Sequence, residues 1–98
     1  MSDLRPIHPG EILREEFLRP LQLSAGRVAR AVGVPRTRIE RLAAEAVDLT
    51  PDTALRLARY FGTSPEFWMA IQTRFALESA ADAIEADLDR ITPLASAG

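Results

Sequence analysis

The sequence predicts an all-α fold of five helices, with a helix-turn-helix at its centre and an extended C-terminal helix. Three observations carry this reading. No window shows the apolar/polar alternation of a half-buried strand, and no Asn-Gly hairpin signal occurs. Three helix starts share one grammar: an initiating residue, a proline at the first helical position and an early acid. They are His8-Pro9-Gly10-Glu11, Thr50-Pro51-Asp52 and Ser64-Pro65-Glu66. Finally, small and branched apolar residues between positions 28 and 42 recur at the spacing of two helices crossing at a tight turn.

Each element follows from local chemistry. Proline suits the first helical position because that N–H would lack a partner and its φ is already helical. The early acid favours the positive end of the helix dipole. The first helix is expected over about residues 9–18, stopping near Pro20. Ser24 starts a second over about 25–32, and a third covers about 35–44. The fourth runs from about 51 to 61, with Leu49 stapled onto Ala54 and Gly62 as its stop. The fifth is expected over about 65–91 before Pro93, with a break near Glu78. The expected core is Ile12, Leu13, Phe17, Val28, Ala29, Val32, Val34, Ile39, Leu42, Leu55, Ala58, Phe61, Phe67, Trp68 and Ile71.

Ninety-eight residues with 47% apolar content suit one small domain with a tail. No apolar run approaches the ~20 residues that span a bilayer, and the start "MSDLRPIHPGE" lacks a secretory pattern. The expectation is a cytoplasmic protein without membrane contact. With no cysteine and one histidine, neither a disulfide framework nor a usual zinc site is expected. His8, Ser24, Thr50 and Ser64 read as caps, because no base accompanies a nucleophile. There is no phosphate-binding glycine loop. No enzyme and no cofactor are expected.

The net charge of −2 hides a division. Residues 24–61 hold seven arginines against four acids, whereas residues 76–98 hold five acids against Arg90. Such a chain offers two surfaces to different partners.

Residues 25–44 carry the sharpest pattern. Val28, Ala29 and Val32 line one face of a helix. Gly33 follows where φ turns positive, Val34 plugs the corner, and Ile39 and Leu42 recur on the inner face of the next helix. If that helix enters a major groove, Arg36, Thr37, Glu40 and Arg41 face the bases, with Arg38 at the flank. Arg36 or Arg41 suits guanine O6/N7, Thr37 a phosphate or thymine methyl, and Glu40 cytosine N4. The competing reading is a solvated helix decorated by Arg36–Glu40 and Arg41–Glu45 pairs. Arg27 and Arg30, three apart on the polar face of the preceding helix, and Arg38 are the candidates for the DNA backbone. Arg56 is expected to pair with Asp52.

"RPIHPGEILREEFLRPLQLS", "GVPRTRI" and "LTPDTALRLARYFGTSPEFWMAIQTRFALE" resemble HigA-type antitoxins, lambda-repressor-like helix-turn-helix proteins of bacterial toxin–antitoxin operons. The resemblance covers about residues 5–78. It implies a five-helix DNA-binding domain over 1–78, usually dimeric, that represses its own operon. It also implies a partner toxin, typically a small basic ribonuclease. Two departures stand out. Ala25 replaces a glutamine that often binds phosphate in the wider superfamily. Ala44, Glu45, Ala46 and Val47 replace asparagine, glycine and basic residues. These departures predict DNA binding that is real but weaker, or more salt-sensitive in detection, than that of a strongly basic relative. A stand-alone regulator, or an interaction module with weakened DNA binding, stays open beside the antitoxin.

Residues 79–98 read as a C-terminal helical extension and tail. Leu77, Ala81, Ile84, Leu88 and Ile91 form an apolar stripe with acids mostly off it. The stripe has three possible destinations: its own domain, a second subunit, or a basic toxin. Phe75, Leu77, Ile84, Leu88 and Ile91 are the candidate dimer or partner contacts.

Overall fold

Residues 5–94 are described by a computed structural model. The first four residues and the low-complexity tail from 95 onward lie outside the described residues. Helices are the only regular elements among the described residues, which hold no strand. Helix α1 is built of three contiguous pieces: Pro9–Ile12, a π-helical Leu13–Leu18, and Arg19–Leu21. Then follow α2 (Ala25–Val32), α3 (Arg36–Ala43), α4 (Pro51–Phe61), α5 (Pro65–Ala83) and α6 (Glu85–Asp89).

The starts behave as their chemistry requires. The Gly10 N–H donates to Nδ1 of buried His8 (2.8 Å). Ser24 Oγ accepts from Arg27 N–H, Thr50 Oγ1 from Thr53 N–H, and Ser64 Oγ from Phe67 N–H. Gly33 and Gly62 end α2 and α4 at φ 78° and 74°. Leu49 and Ala54 are both buried, as the staple requires.

Two boundaries differ from the sequence expectation. The first helix does not stop near Pro20 but continues to Leu21. Its π segment, in which Arg19 N–H bonds the carbonyl of Arg14, widens the turn that a proline would otherwise crowd. The wider turn also brings Leu13 and Leu18 onto one buried face. In a regular α-helix, residues five apart diverge by about 140°. At the C-terminal end the break falls at Ile84 (φ −119°, ψ 24°) rather than near Glu78, dividing α5 from α6. Arg74 and Glu78 pair across one unbroken turn of α5 (3.1 Å).

The core draws buried residues from α1 to α5, and within it Trp68, which has no exposed surface, is packed by α1 and α4. Phe17, Phe61 and Phe67 surround it, and its indole Nε1–H donates to Thr63 Oγ1 (2.7 Å). Leu55 and Phe67, expected in the core, are exposed at 58% and 40%. The buried stripe of α4 runs through Thr53, Ala54, Leu57 and Ala58, which turns Leu55 outward with Asp52, Arg56 and Arg59. Phe67 covers the aromatic cluster edge-on from outside.

One backbone contact places α3. A Cβ built on Gly10 would stand 1.8 Å from the carbonyl oxygen of Leu42. Glycine is therefore required there by packing, with α1 seated directly on the end of α3. Gly10→Ala is expected to cost at least ~2 kcal/mol in urea unfolding, as overpacking against backbone does. Gly62→Ala, with open space around its Cβ, should cost only about 1 kcal/mol from its positive φ. Equal losses at the two sites would contradict the close seat.

Candidate nucleic-acid interface

Helices α2 and α3 are joined by Gly33, Val34 and Pro35, with Pro35 preceding the first residue of α3. Val28, Ala29, Val32, Ile39 and Leu42 are buried between and beneath the two helices. This seals the inner faces and leaves Arg36, Thr37, Arg38, Glu40 and Arg41 exposed on α3, with Arg27 and Arg30 exposed on α2. The five α3 residues thus share one exposed helix.

Their electrostatics are uneven. Arg36 Nε lies 3.2 Å from Glu40 Oε2. The Arg36 chain also crosses the start of α2, where a Cβ on Gly26 would meet its Cδ at 3.0 Å. Arg38 Nη1 donates to Asp52 Oδ2 at 2.6 Å, so this cation is held by α4. The side chains of Arg27, Arg30 and Arg41 make no ion pair or hydrogen bond among the described residues.

Asp52 is the hub of a small cluster. Arg56 Nε donates to the same Oδ2 (3.0 Å), as the sequence led us to expect. The other end of Arg56 has a role the sequence did not reveal. Its Nη1 donates to the carbonyls of Val32 (2.7 Å) and Gly33 (3.4 Å), tying the turn between α2 and α3 to α4. Hydrogen bonds from Arg56 and then Arg38 hold the Asp52 carboxyl below the usual carboxylate range.

Of the two pairs of the competing solvated-helix reading, Arg36–Glu40 forms and Arg41–Glu45 does not. Glu45 follows the end of α3 in the left-handed region (φ 62°), so its side chain no longer sits one helical turn beyond Arg41. Its Oε2 instead accepts from Arg14 Nη2 on α1 (3.0 Å). Arg14 was missed because two of its partners, Ala43 and Glu45, lie 29 and 31 residues away, beyond any local spacing rule. Hydrogen bonds to Glu15 and then Glu45 raise its pKa above the ordinary arginine value. Gln72 was also missed. It is buried, and its Oε1 accepts from Leu49 N–H (2.8 Å), fixing the loop that leads out of α3.

Residues 13–68, more than half of the chain, match the helix-turn-helix family. Antitoxin HigA-1 of Vibrio cholerae is 34% identical over 90 residues, spanning 92% of this chain and 85% of that one. The chain belongs to the HigA-type helix-turn-helix family. Virulence-associated protein I of Dichelobacter nodosus is 47% identical over 79 residues, 81% of this chain and 73% of the relative. The solved structure of Pseudomonas aeruginosa antitoxin HigA with the higBA promoter superposes with a TM-score of 0.88 at 42% identity. It covers 92% of this chain and 99% of that one. As a HigA-type chain, the protein belongs to a family of DNA-binding antitoxins and regulators, not to a known enzyme class. No described helix is long and apolar enough to cross a membrane.

The depressed Asp52 pKa sets a pH window. Its contribution to stability is complete above the ordinary carboxylate pKa of about 3.9 and is lost as pH falls through the lower folded-state value. The urea-midpoint difference between wild type and Asp52→Asn should therefore be constant from about pH 8 to 5 and close below about pH 4. A difference that widens on acidification would contradict the cluster.

Proposed function

We propose that this protein binds the operator of its own operon and represses it, and that it neutralises a small ribonuclease toxin by direct binding. The single observation that carries the DNA reading is α3: an exposed helix with Arg36, Thr37, Glu40 and Arg41 outward, seated on a buried helix-turn-helix. The relative solved with its promoter has the same fold. Arg36, Thr37, Glu40 and Arg41 read base edges, and Arg27 and Arg30 grip the backbone, with Arg38 a weaker third contact while Asp52 holds it. Arg38 would have to leave Asp52 or share it.

The domain boundary follows the same reading: residues 1–78 bind DNA, and residues 79–98 are an extension. The large residues of the apolar stripe, which begins at Leu77 and runs into the extension, stay exposed. Leu77, Ile84, Leu88 and Ile91 are 44–66% exposed, whereas Phe75 is half-buried edge-on against His8 (4.7 Å) and contributes mainly within the domain. A groove of about 580 Å³, lined in part by Ile7, Ile12, Ile71 and Ala81, flanks the same helix. Apolar residues lie all round α5, as on a helix meant to be covered. A second copy of this chain covers it, placing two α3 helices roughly 34 Å apart, or a multiple of that, on a two-fold operator. The acidic extension also suits a basic toxin.

The test is a titration of the promoter upstream of the protein's own gene. The wild type should prefer it to a scrambled duplex. Arg36→Gln or Arg41→Gln should lose about 1–3 kcal/mol of that discrimination, and Arg27→Gln should weaken both duplexes alike. Removal of residues 79–98 should shift the protein toward monomer by sedimentation. No promoter preference, with or without toxin, would overturn the repressor reading.

A further inference from the structure

Glu45 presents a contradiction. It is an acid immediately beyond the helix that would face a polyanion, and it adopts a left-handed conformation that favours glycine. The local backbone bonds do not call for a carboxylate. Glu45 N–H donates to Leu42 O and Ala46 N–H to Arg41 O, both at 2.9 Å, and glycine would make the same two bonds. What the glutamate adds is its side chain, and the contact that side chain makes is with Arg14.

Arg14 uses its whole fork. Nη2 meets Glu45 Oε2 (3.0 Å), Nη1 donates to the carbonyl of Ala43 (2.5 Å), and Nε holds Glu15 Oε2 (3.0 Å). Ala43 is the last residue of α3. A guanidinium thus sits at the negative end of the α3 dipole and satisfies one of its terminal carbonyls. Both Arg14 and Glu45 are partly shielded from water, at 30% and 27% side-chain exposure, so the pair is screened less than a surface one.

We propose that Arg14 is a positioning residue for DNA binding: it latches the end of α3 to α1 through Ala43 and Glu45 and cancels the charge of Glu45. This rests on the DNA-binding reading above. The latch lies one turn along α1 from the Gly10–Leu42 seat, so α1 grips α3 by backbone contact and by charge. Glu45 is accordingly a paired structural acid, not a repulsive one.

A cycle of wild type, Glu45→Gln, Arg14→Gln and the double variant tests this, with promoter affinity by fluorescence anisotropy and amide exchange at Glu45 and Ala46 without DNA. Glu45→Gln should bind within about threefold of wild type, because its charge is already compensated. Arg14→Gln should bind about tenfold more weakly and speed exchange at both amides. The double variant should bind at least about threefold tighter than Arg14→Gln, since it removes the uncovered charge. Arg14→Lys, which keeps the charge without the fork, should fall between wild type and Arg14→Gln, and serves if Arg14→Gln does not fold. Tightening of about tenfold in Glu45→Gln, or equal binding by Arg14→Gln and the double variant, would overturn the latch. If the wild type binds no promoter, the DNA reading fails by itself. Unchanged exchange in Arg14→Gln, or in Arg14→Lys in its place, then overturns the latch, and faster exchange sustains it.

Discussion

The position of α3 depends on a backbone-to-backbone contact, the seat of Gly10 against the Leu42 carbonyl. A helix that reads a groove must be held by elements that do not themselves enter it. Here the holding is done from the buried side. The His8 imidazole caps the start of α1 and fixes Gly10, and Arg14, further along α1, bonds the last carbonyl of α3. Gln72 of α5 secures Leu49 in the loop that follows, and Arg56 of α4 secures the turn that precedes. Both ends of α3 are thus anchored to other helices, and its outer face is left to carry side chains.

The sequence disclosed what is governed by short-range rules. Caps at His8, Ser24, Thr50 and Ser64, glycine stops at 33 and 62, and the inner faces of α2 and α3 each depend on residues within a few positions of one another. The errors came where distant packing decides. Leu55 looks apolar and well placed until α5 fixes which stripe of α4 is covered, and that stripe runs through Ala54 and Leu57. The first helix passes Pro20 because a π turn absorbs it, a choice made by Leu13 and Leu18 both reaching the core. Arg14 and Gln72 bond partners more than twenty residues away, so no periodicity announces them.

The same distinction governs the charges. Of the seven arginines between residues 24 and 61, the structure ties Arg36, Arg38 and Arg56 to acids, leaving Arg27, Arg30, Arg41 and Arg59 without ion pairs among the described residues. On the proposed reading the backbone grip of one chain is therefore small: Arg27 and Arg30, with Arg38 restrained by Asp52. Two copies would double it, which is why the proposed function joins the exposed α5–α6 stripe to α3.

The salt dependence of promoter binding measures this grip directly. For two copies contributing Arg27 and Arg30, log affinity should fall against log salt with a slope of about −4. Asp52→Asn, which releases Arg38 in each copy, should steepen it to about −5. A slope near zero, or one untouched by Asp52→Asn, would contradict a backbone grip made by these arginines.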